Sequence, residues 1–404
     1  MSISVIGHDG GPLTATARER LAAATLVVGG ARHLAGLDTP VETVVMGNVD
    51  AAVARLVAHD GPAVVLASGD PGFFGIVRAL RRAGLSPEVV PAVSSVARAF
   101  ARLGLPWDDA LVVSAHGRDL RRAVNACRAY RKVAVLTGPG AGPAELAAAL
   151  RGLPRRLFVA AHLGQPSERA GWYADGDTWP DPNVVVVLGP ASLADGSAPR
   201  SDGPAPWVAG LWPDAAGPWP GAGGWALPET GFVYRDSMIT KSEVRAVVLA
   251  RLAPRLGELV WDVGAGSGSV AVECARFGAA TIAVERSAGA CGDIAHNAAA
   301  YDVDVAVVHG TAPAALDGLP DADAVFVGGG GQPVLGACLA RRPARLVAAY
   351  AAVERLGPAL AALQAAGYAT GGVQLQANRL SPLPDGTHRL AATNPVHVVW
   401  GVLP

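Results

Sequence analysis

Two carboxylates flank a glycine-rich turn in the second half of the chain. Asp262 ends an apolar run just before the turn, and Glu285 ends the next apolar run. The turn consists of Gly264, Ala265, Gly266, Ser267 and Gly268. Glycines allow a sharp bend and let a ligand approach the backbone without a Cβ in the way. The spacing therefore predicts a strand, a ligand-binding loop and a helix, with both acids near the ligand.

The two acids help to identify the ligand that the turn would hold. A dinucleotide loop has a third glycine where this sequence has Ser269, and its pyrophosphate would meet an unfavourable carboxylate at Asp262. A carboxylate there suits a cationic amino-acid group, and Glu285 can accept hydrogen bonds from two ribose hydroxyls. This pattern favours a class I S-adenosylmethionine methyltransferase over an NAD-dependent oxidoreductase. The simpler alternative is a tight strand-to-helix turn with Glu285 at the surface.

Two later turns in the same half also suit a nucleoside-like ligand. HGTAP and VGGGG each come at the end of an apolar run. The carboxyl ends of parallel strands meet at one edge of a sheet, so these turns should reach the first loop. Adenine and the sulfonium are expected there. The predicted cofactor contacts are Gly310, Thr311, Ala312 and Gly328.

The first half carries candidate loops of its own. VIGHDGGPLT holds a glycine turn after the first apolar run, and LASGDPGFFGI holds a second one. Asp70 in the second turn can add a hydrogen bond to a close backbone approach, although Gly-Asp-Pro is also a common surface-turn composition. His116, beside a glycine at the end of another apolar run, is a candidate general base or a plain loop residue.

The elements that must position these residues follow an α/β pattern. Apolar runs such as SISVIG, AVVLASG, VVVVLG, ELVWDVG and ATIAVE alternate with alanine-rich stretches, as in domains with parallel sheets. Between the halves, a Pro/Gly/Trp-rich stretch has neither helical nor strand periodicity and is typical of a linker. We predict a first domain over 1–195, a linker over 196–228 and a second domain over 229–404.

The bulk composition narrows the function classes. The 404 residues exceed one ordinary core, and 33 basic against 34 acidic residues leave almost no net charge. A nucleic-acid-binding domain would carry a basic excess, so nucleic acid is not an expected partner. The four cysteines are widely spaced, which predicts no metal site and no disulfide framework, and fits a reducing cytoplasm. No signal peptide is expected, and the apolar runs are too short to cross a bilayer.

Several stretches of the second half carry a family resemblance. YRDSMITKSEVRAVVLARL, VWDVGAGSGSVAVECAR, HGTAPAAL, AVFVGGGG and the final NPVHVVWG resemble the cobalamin-pathway precorrin methyltransferases that methylate carbon 15 and remove the ring C acetate carboxyl. The resemblance implies a Rossmann-like class I methyltransferase fold whose MITK turn closes over the cofactor, with contacts from Thr240 and Lys241. The candidate catalytic residues near that cleft are Tyr234, Arg235, Asp236, Arg379 and His388.

The first half resembles a different family. VVGGARHL, LASGDPGFFGI and PAVSSVARAFARLGLPWDDALVVSAHGR are similar to the carbon-5 branch of the tetrapyrrole methylases, which fold as two α/β lobes around the cofactor. The opening loop departs from the family's GxGPG pattern, with Asp9 inside it and Pro12 one place late. Arg118 is expected to meet a substrate carboxylate, because precorrins carry many. The implied cofactor contacts are Gly7, Gly69, Asp70, Pro71, Phe73, Ser94, Ser95, Leu136, Thr137, Leu163 and Gly164.

Together the halves resemble the decarboxylating precorrin C5,15-methyltransferase family. The resemblance implies methylation of precorrin-6B at carbons 5 and 15, with loss of the ring C acetate carboxyl as carbon dioxide, to give precorrin-8. It also implies two S-adenosylmethionine sites, one per domain, and a homo-oligomer. The alternative is a fusion in which only the C-terminal domain is catalytic. The N-terminal domain would then bind or carry the tetrapyrrole, as its altered opening loop allows.

Overall fold

Two compact units make up the protein. The computed structural model describes residues 2–35, 37, 40–190, 224–235 and 238–404. One unit contains the described residues up to 118 and from 132 to 190, and the other contains residues 119–131 and those from 224 onward. Asp236 and most of the predicted linker lie outside the described residues.

The first unit begins with a five-stranded parallel sheet. Its strands are β1 (Ile3–His8), β2 (Leu26–Gly29), β3 (Glu42–Val45), β4 (Ala63–Ser68) and β5 (Glu88–Val90), in the order β3-β2-β4-β1-β5. The helices among them are α1 (Ala15–Ala23), α2 (Ala31–Leu34), α3 (Val49–Val57) and α4 (Val77–Arg82). The central strands are buried on both faces, which is why they appear as unbroken apolar runs. All the carboxyl ends open on one edge.

A mixed five-stranded sheet completes the first unit. Its strands are β6 (Leu111–Ser114), β7 (Lys132–Leu136), β8 (Arg156–Ala161), β9 (Arg169–Trp172) and β10 (Asn183–Leu188), in the order β6-β7-β10-β8-β9. The β6–β7 pair is parallel and the others are antiparallel. The helices in this region of the chain are α5 (Ser95–Leu103), α6 (Leu120–Ala129) and α7 (Pro143–Ala149).

The second unit is built on a seven-stranded sheet. Its strands are β11 (Leu259–Val263), β12 (Ala280–Glu285), β13 (Ala306–His309), β14 (Ala324–Val327), β15 (Arg345–Tyr350), β16 (Ala369–Leu375) and β19 (Val396–Val402). The order is β13-β12-β11-β14-β15-β19-β16, with β19 antiparallel to both neighbours. A separate hairpin contains β17 (Asn378–Pro382) and β18 (His388–Ala392). The helices are α8 (Ser242–Leu252), α9 (Ser269–Arg276), α10 (Ala288–Ala300), α11 (Gly331–Ala340) and α12 (Leu356–Ala365).

Helix α6 packs within the second unit although its sequence lies in the predicted first domain. The buried side chain of Asn125 donates a hydrogen bond to the carbonyl oxygen of Gly257 at 3.2 Å. Arg121 pairs with Asp323 at 2.5 Å (Nη1 to Oδ1). These contacts join residues more than a hundred positions apart, so sequence periodicity could not reveal them.

The α/β prediction is confirmed, and the apolar strands lie where they were expected. Strands β3, β9, β16, β17 and β18 were missed. Most of their residues are exposed or half-buried. Such strands lack the apolar run that a buried parallel strand shows, and β16 contains two glycines while β17 ends in Pro382.

Candidate functional site

The glycine loop of the second unit lies where β12 and β14 flank β11 on opposite sides. Gly264, Gly266 and Gly268 have φ of 74°, 56° and 72°. A Cβ on Gly264 would lie 3.0 Å from the backbone nitrogen of Gly329, and one on Gly328 would lie 3.0 Å from the carbonyl oxygen of Gly264. The loops after β11 and β14 therefore form a close backbone cradle. This is the position at which open α/β sheets bind ligands.

Glu285 stands beside this cradle at the end of β12 and is 8% exposed. Its Oε2 accepts a hydrogen bond from the backbone N–H of Gly266 at 2.9 Å, and its Oε1 accepts one from Ser287 at 2.9 Å. Each carboxylate oxygen keeps a lone pair that can accept from a further donor. Spacing alone pointed to Glu285 and Gly266, and the structure brings them into direct contact.

The HGTAP turn adjoins the same edge. The backbone N–H of Gly310 donates to the carbonyl oxygen of Glu285 at 2.9 Å. Thr311 follows it, and its carbonyl oxygen accepts from Ala315 at 3.1 Å. The turn therefore extends the cradle past β12, in the direction expected for an adenine.

Asp262 lies beneath the loop and is 1% exposed. Its Oδ2 accepts a hydrogen bond from the backbone N–H of Ala271 in α9 at 3.0 Å, while Oδ1 has no hydrogen-bond partner among the described residues. Burial raises the pKa of Asp262 to about 7, with the charge of Glu285 adding to this effect and the Ala271 hydrogen bond opposing it. This acid supports the start of α9. Its contact with a cationic amino group stays a prediction.

The MITK turn lies against the glycine loop. A Cβ on Gly266 would lie 3.0 Å from the carbonyl oxygen of Met238. Thr240 and Lys241 follow, both half-buried, and Lys241 occupies the residue position that precedes α8. The turn therefore reaches the candidate site, and direct cofactor contacts from these two residues stay predictions.

A buried ion pair, here called the Arg245–Glu273 clamp, holds this turn. Both side chains are fully buried, and Nε of Arg245 lies 2.5 Å from Oε1 of Glu273. Arg245 also donates to the carbonyl oxygens of Thr240, at 2.5 Å, and Leu227. Glu273 accepts from the backbone N–H of Leu227 at 3.0 Å and of Ala226 at 2.6 Å. The clamp was not predicted from the sequence. Its only sequence signal is one charged residue on the buried face of each helix.

Asn297 is a second positioning residue that the sequence did not reveal. It is 1% exposed on α10 and donates to the carbonyl oxygens of Ser267, at 2.9 Å, and Val233, at 2.8 Å. Its Oδ1 accepts from the backbone N–H of Val233 at 2.8 Å. Asn297 therefore ties the glycine loop to the segment that leads into the MITK turn.

The predicted catalytic residues of the second unit have different surroundings. Tyr234 is 40% exposed, and Arg235 pairs with Asp293 at 2.8 Å (Nε to Oδ2). His388 is exposed at the start of β18. Arg379, on the partner strand β17, is held in an ion-pair network. The roles of these four side chains in catalysis stay predictions.

The network around Arg379 links the hairpin to the start of α8. Its Nη2 lies 2.8 Å from Oε1 of Glu229 and 2.5 Å from Oε2 of Glu243. Partial burial opposes ionisation of Glu229, but hydrogen bonds from Arg379 and the backbone of Ser242 outweigh it and lower the pKa of Glu229 to about 2. Both acids raise the pKa of Arg379. Because two carboxylates hold the guanidinium of Arg379 in place, Arg379 is suited to positioning the hairpin.

The predicted loops of the first unit meet at the carboxyl edge of its parallel sheet. A Cβ on Gly7 would lie 2.5 Å from the carbonyl oxygen of Gly69, and one on Gly69, whose φ is 59°, would lie 3.3 Å from the backbone nitrogen of Ser95. Oδ1 of Asp70 accepts from the backbone N–H of Gly72 at 2.8 Å, which shapes the turn through the buried Pro71. The structure thus brings these predicted loops together.

Several other predicted cofactor contacts of this unit have structural partners. Ser94 caps α5, its Oγ accepting from the backbone N–H of Ala97 at 3.1 Å. The buried Thr137 hydroxyl donates to the carbonyl oxygen of Asn183 at 2.6 Å. Three predicted apolar contacts pack against one hydrophobic cluster: Phe73, Leu136 and Leu163.

The altered opening loop is tightly packed. Asp9 pairs with Arg98 at 2.6 Å (Oδ2 to Nη2) and accepts from the backbone N–H of Gly11 at 3.0 Å. Burial opposes ionisation of Asp9, but these two groups outweigh it and lower its pKa. A Cβ on Gly164 would lie 1.9 Å from the carbonyl oxygen of Asp9, and one on Gly10 2.3 Å from that of Gly164. Arg98 and the close packing against Gly164 thus hold the opening loop in place.

His116 and Arg118 lie in the exposed loop after β6. Nδ1 of His116 is 3.2 Å from the carbonyl oxygen of Thr137. A carbonyl oxygen only accepts, so this bond requires a proton on Nδ1, and in the neutral ring Nε2 is then the acceptor. The guanidinium of Arg118 lies 5.9 Å from the ring centroid of Phe74.

Within the described ranges, no helix is long and apolar enough to cross a membrane. The same residues contain no group of three or more His, Cys, Asp or Glu side chains placed to hold a metal ion.

Comparisons with known proteins match both parts of the chain. The tetrapyrrole (corrin/porphyrin) methylase family matches residues 8–171, and the precorrin methyltransferase domain matches residues 232–401. A precorrin-6Y C(5,15)-methyltransferase (decarboxylating) of a Sinorhizobium species is 38% identical, over 82% of this chain and 79% of the relative. The Mycobacterium tuberculosis CDC 1551 protein of the same name is 34% identical over 86% of each chain.

A shorter relative covers less of the chain. It is a cobalt-precorrin-7 C(5)-methyltransferase of Salmonella typhimurium, 34% identical over 40% of this chain and 83% of its own. The longer relatives match across most of both chains. The protein therefore belongs to the precorrin-6Y C(5,15)-methyltransferase (decarboxylating) family.

Proposed function

We propose that this protein methylates precorrin-6B at carbons 5 and 15 and removes the ring C acetate carboxyl, giving precorrin-8. Each unit takes one S-adenosylmethionine as methyl donor. Family membership supports the reaction, and one observation supports the donor: the backbone cradle between Gly264 and Gly328 with Glu285 at its side. A Cβ on Gly264 or Gly328 would fill the cradle. Because neither residue has one, a ligand can approach the backbone closely there.

The residues of the second unit fit S-adenosylmethionine. Glu285 keeps lone pairs for the two ribose hydroxyls, and the loop backbone from Gly264 to Gly268 reaches the ligand without side-chain interference. The buried Asp262, with one unpartnered oxygen, places an acid beneath the amino-acid end.

The residues of the first unit fit the same donor differently. The turns at Gly7 and Gly69 bring backbone atoms together near Ser95, and apolar side chains such as Phe73 and Leu163 border the region. Adenosine and a methionine side chain need such close backbone and apolar contacts. The predicted contacts of this unit include one acid, Asp70, whose Oδ1 shapes the turn after β4 by accepting from the backbone N–H of Gly72.

The chain's contribution to the chemistry is mainly positional. When bound, S-adenosylmethionine supplies a methyl group on a positively charged sulfur. The protein must hold the macrocycle carbon in line with that group and exclude water. In the second unit the MITK turn, held by the Arg245–Glu273 clamp, covers one side of the glycine loop. In the first unit His116 is the proposed general base, and its Nδ1 contact with the carbonyl oxygen of Thr137 supports Nε2 as the atom that would accept the proton.

Product analysis tests the proposal. The intact protein, given precorrin-6B and methyl-labelled S-adenosylmethionine, should yield a macrocycle with two added methyl groups and one carbon dioxide fewer, measured by mass spectrometry.

Glu285→Ala should stop the methylation and decarboxylation assigned to the second unit and leave one methyl transfer. Asp70→Ala should impair the other transfer, because it loosens the turn after β4.

Exposed acids elsewhere on the same units provide controls. Glu354→Ala in the second unit and Asp60→Ala in the first should leave both transfers intact. A wild-type protein that adds a single methyl group would overturn the two-site proposal and favour a carrier role for the first unit.

A further inference from the structure

Basic side chains gather on the carboxyl edge of the first unit's parallel sheet, outside the residues discussed so far. His8 ends β1, Ser68 ends β4, and Arg32 with His33 lies in the short helix after β2. Strands β2, β4 and β1 are neighbours in that order, with His8 and Ser68 in register. The four residues are called the basic cluster below.

The members of the basic cluster contact one another directly. Nε2 of His33 lies 2.9 Å from Oγ of Ser68, and Arg32 donates to the same hydroxyl. Nε of Arg32 lies 3.4 Å from Nε2 of His33. The rings of His33 and His8 meet edge to face with centroids 5.4 Å apart. A guanidinium and two imidazoles thus converge beside one hydroxyl.

Within the part of the chain that the structure describes, the basic cluster has no acidic partner. Among the described residues, no carboxylate forms an ion pair with Arg32, His33 or His8. The adjacent Asp9 is already paired with Arg98 at 2.6 Å. A guanidinium without a counter-charge among the described residues is complementary to an anion, above all to a carboxylate that it can bind with two hydrogen bonds.

The electrostatics agree with this geometry. Partial burial lowers the pKa of His33 to about 4, with the charges of Arg32 and His8 adding to the effect. Positive charge on His33 is therefore disfavoured in the cluster as it stands. A bound anion would reverse this effect, because an opposite charge nearby favours the charged form of each base.

Arg32 and His33 lie on the β2 side of β4, whereas the expected cofactor contacts Gly7, Gly69 and Ser95 meet toward β5. Ser68 directly precedes Gly69 and His8 directly follows Gly7, so these two members join the cluster to the predicted cofactor loops.

We propose that the basic cluster binds a peripheral carboxylate of the tetrapyrrole substrate and so positions the macrocycle beside the methyl donor of the first unit. Arg32 supplies the main charge, His33 and Ser68 add hydrogen bonds, and His8 borders the site. This inference rests on the proposed function. It assigns substrate contacts to Arg32 and His33. Their motif, VVGGARHL, otherwise indicates only a branch of the methylase family.

NMR of the histidine ring resonances in the intact chain reports specifically on the basic cluster. Uroporphyrin, a stable macrocycle rich in carboxylates, is titrated into protein saturated with S-adenosylhomocysteine while the ring resonances of His8 and His33 are followed. His33→Asn and His8→Asn assign the two signals. Both signals should shift with uroporphyrin, and the dissociation constant read from them should rise at least about tenfold in Arg32→Met.

Arg55→Met is the matched control. Arg55 is paired with Glu42 on the same sheet, and its loss should leave the uroporphyrin titration unchanged. Affinity for S-adenosylhomocysteine, measured by calorimetry, should be the same in wild type and Arg32→Met. Loss of that affinity would overturn the inference by assigning the cluster to the methionine carboxylate. An unshifted His33 resonance, or an Arg32→Met titration equal to wild type, would also overturn it.

The outcome is distinct from a failure of the proposed function. Methyl transfer to precorrin-6B by the wild-type protein tests the function, whereas the histidine titration tests only where the macrocycle's carboxylate lies. If the wild-type protein forms the product normally but the His33 resonance does not shift, the inference is wrong and the proposed function still holds.

Discussion

Asp262 and Glu285 are buried acids at the carboxyl edge of one sheet, yet they have different hydrogen-bond partners. Glu285 accepts two backbone N–H groups, one on each oxygen. Asp262 accepts a single one, and its second oxygen has no partner among the described residues. Burial is the main cause of the raised pKa of Asp262, and its one hydrogen bond opposes this effect only in part.

Replacing Asp262 with asparagine should stabilise the protein more at high pH than at low pH. The pKa is about 7 in the native state against 3.8 as the ordinary value, so ionisation penalises the native state progressively from about pH 4 to about pH 7. The unfolding free energy of Asp262→Asn, relative to wild type, should be up to about 3 kcal/mol higher at pH 8 than at pH 5. Urea unfolding at the two pH values measures this.

The exposed Asp60 offers a control for this measurement. Asp60→Asn should change the unfolding free energy equally at both pH values. A pH-independent difference for Asp262→Asn would show that Asp262 is ionised without penalty, contrary to its burial.

At the scale of elements, helices α8 and α9 determine where the MITK turn lies. The Arg245–Glu273 clamp joins the two helices and also binds the backbone on both sides of the 3-10 turn at Glu229–Gly231. The hairpin of β17 and β18 is tied to the start of α8 through Arg379. The turn over the glycine loop therefore depends on charged side chains from three elements.

Arg245→Met should be strongly destabilising. It keeps much of the side-chain volume but leaves Glu273 buried without its counter-charge, an effect worth about 3–5 kcal/mol. The expected result is a loss of that size in unfolding free energy, measured by urea titration at neutral pH. Weaker binding of S-adenosylhomocysteine should accompany it, because the MITK turn loses its anchor.

Arg251→Met is the control on the same helix. Arg251 is exposed and stacks on Trp400 at 4.0 Å, so its loss should change stability by about 1 kcal/mol or less. Equal effects of the two substitutions would contradict the role assigned to the clamp.

At the scale of the whole molecule, the two candidate sites are built on different sheets. The first unit pairs a parallel sheet with a mixed one, and the second is built on a seven-stranded sheet, with helix α6 packed within the unit. The two candidate sites have different loop patterns and no residue in common. Each should therefore bind the donor independently of substitutions in the other.

Calorimetry of the intact chain should show two S-adenosylhomocysteine molecules bound per protein. Glu285→Ala removes the acid beside the cradle of the second unit and should reduce the stoichiometry to one, with the remaining affinity unchanged. Glu354→Ala should retain both. One site in the wild type, or loss of both in Glu285→Ala, would contradict independent sites.

Much of the second site could be predicted from spacing, because its residues follow consecutive parallel strands. Gly264, Glu285, Gly310 and Gly328 each come at a strand's carboxyl end, and parallel strands bring those ends to one edge. The clamp and Asn297 could not be predicted this way. Their partners are backbone atoms of distant segments, and a buried charge on a helix has no sequence signal that identifies its partner.

The α/β class, the family and the loops predicted to face a ligand could all be read from local sequence patterns, because glycine turns and buried strands are local features. Tertiary structure decided which polar groups serve as supports: Asp262 under α9, Ser94 as a cap, and Arg379 between two acids. It also brought Arg32 and His33 beside Ser68. Such roles depend on burial and on partners far along the chain, and both exist only once the chain has folded.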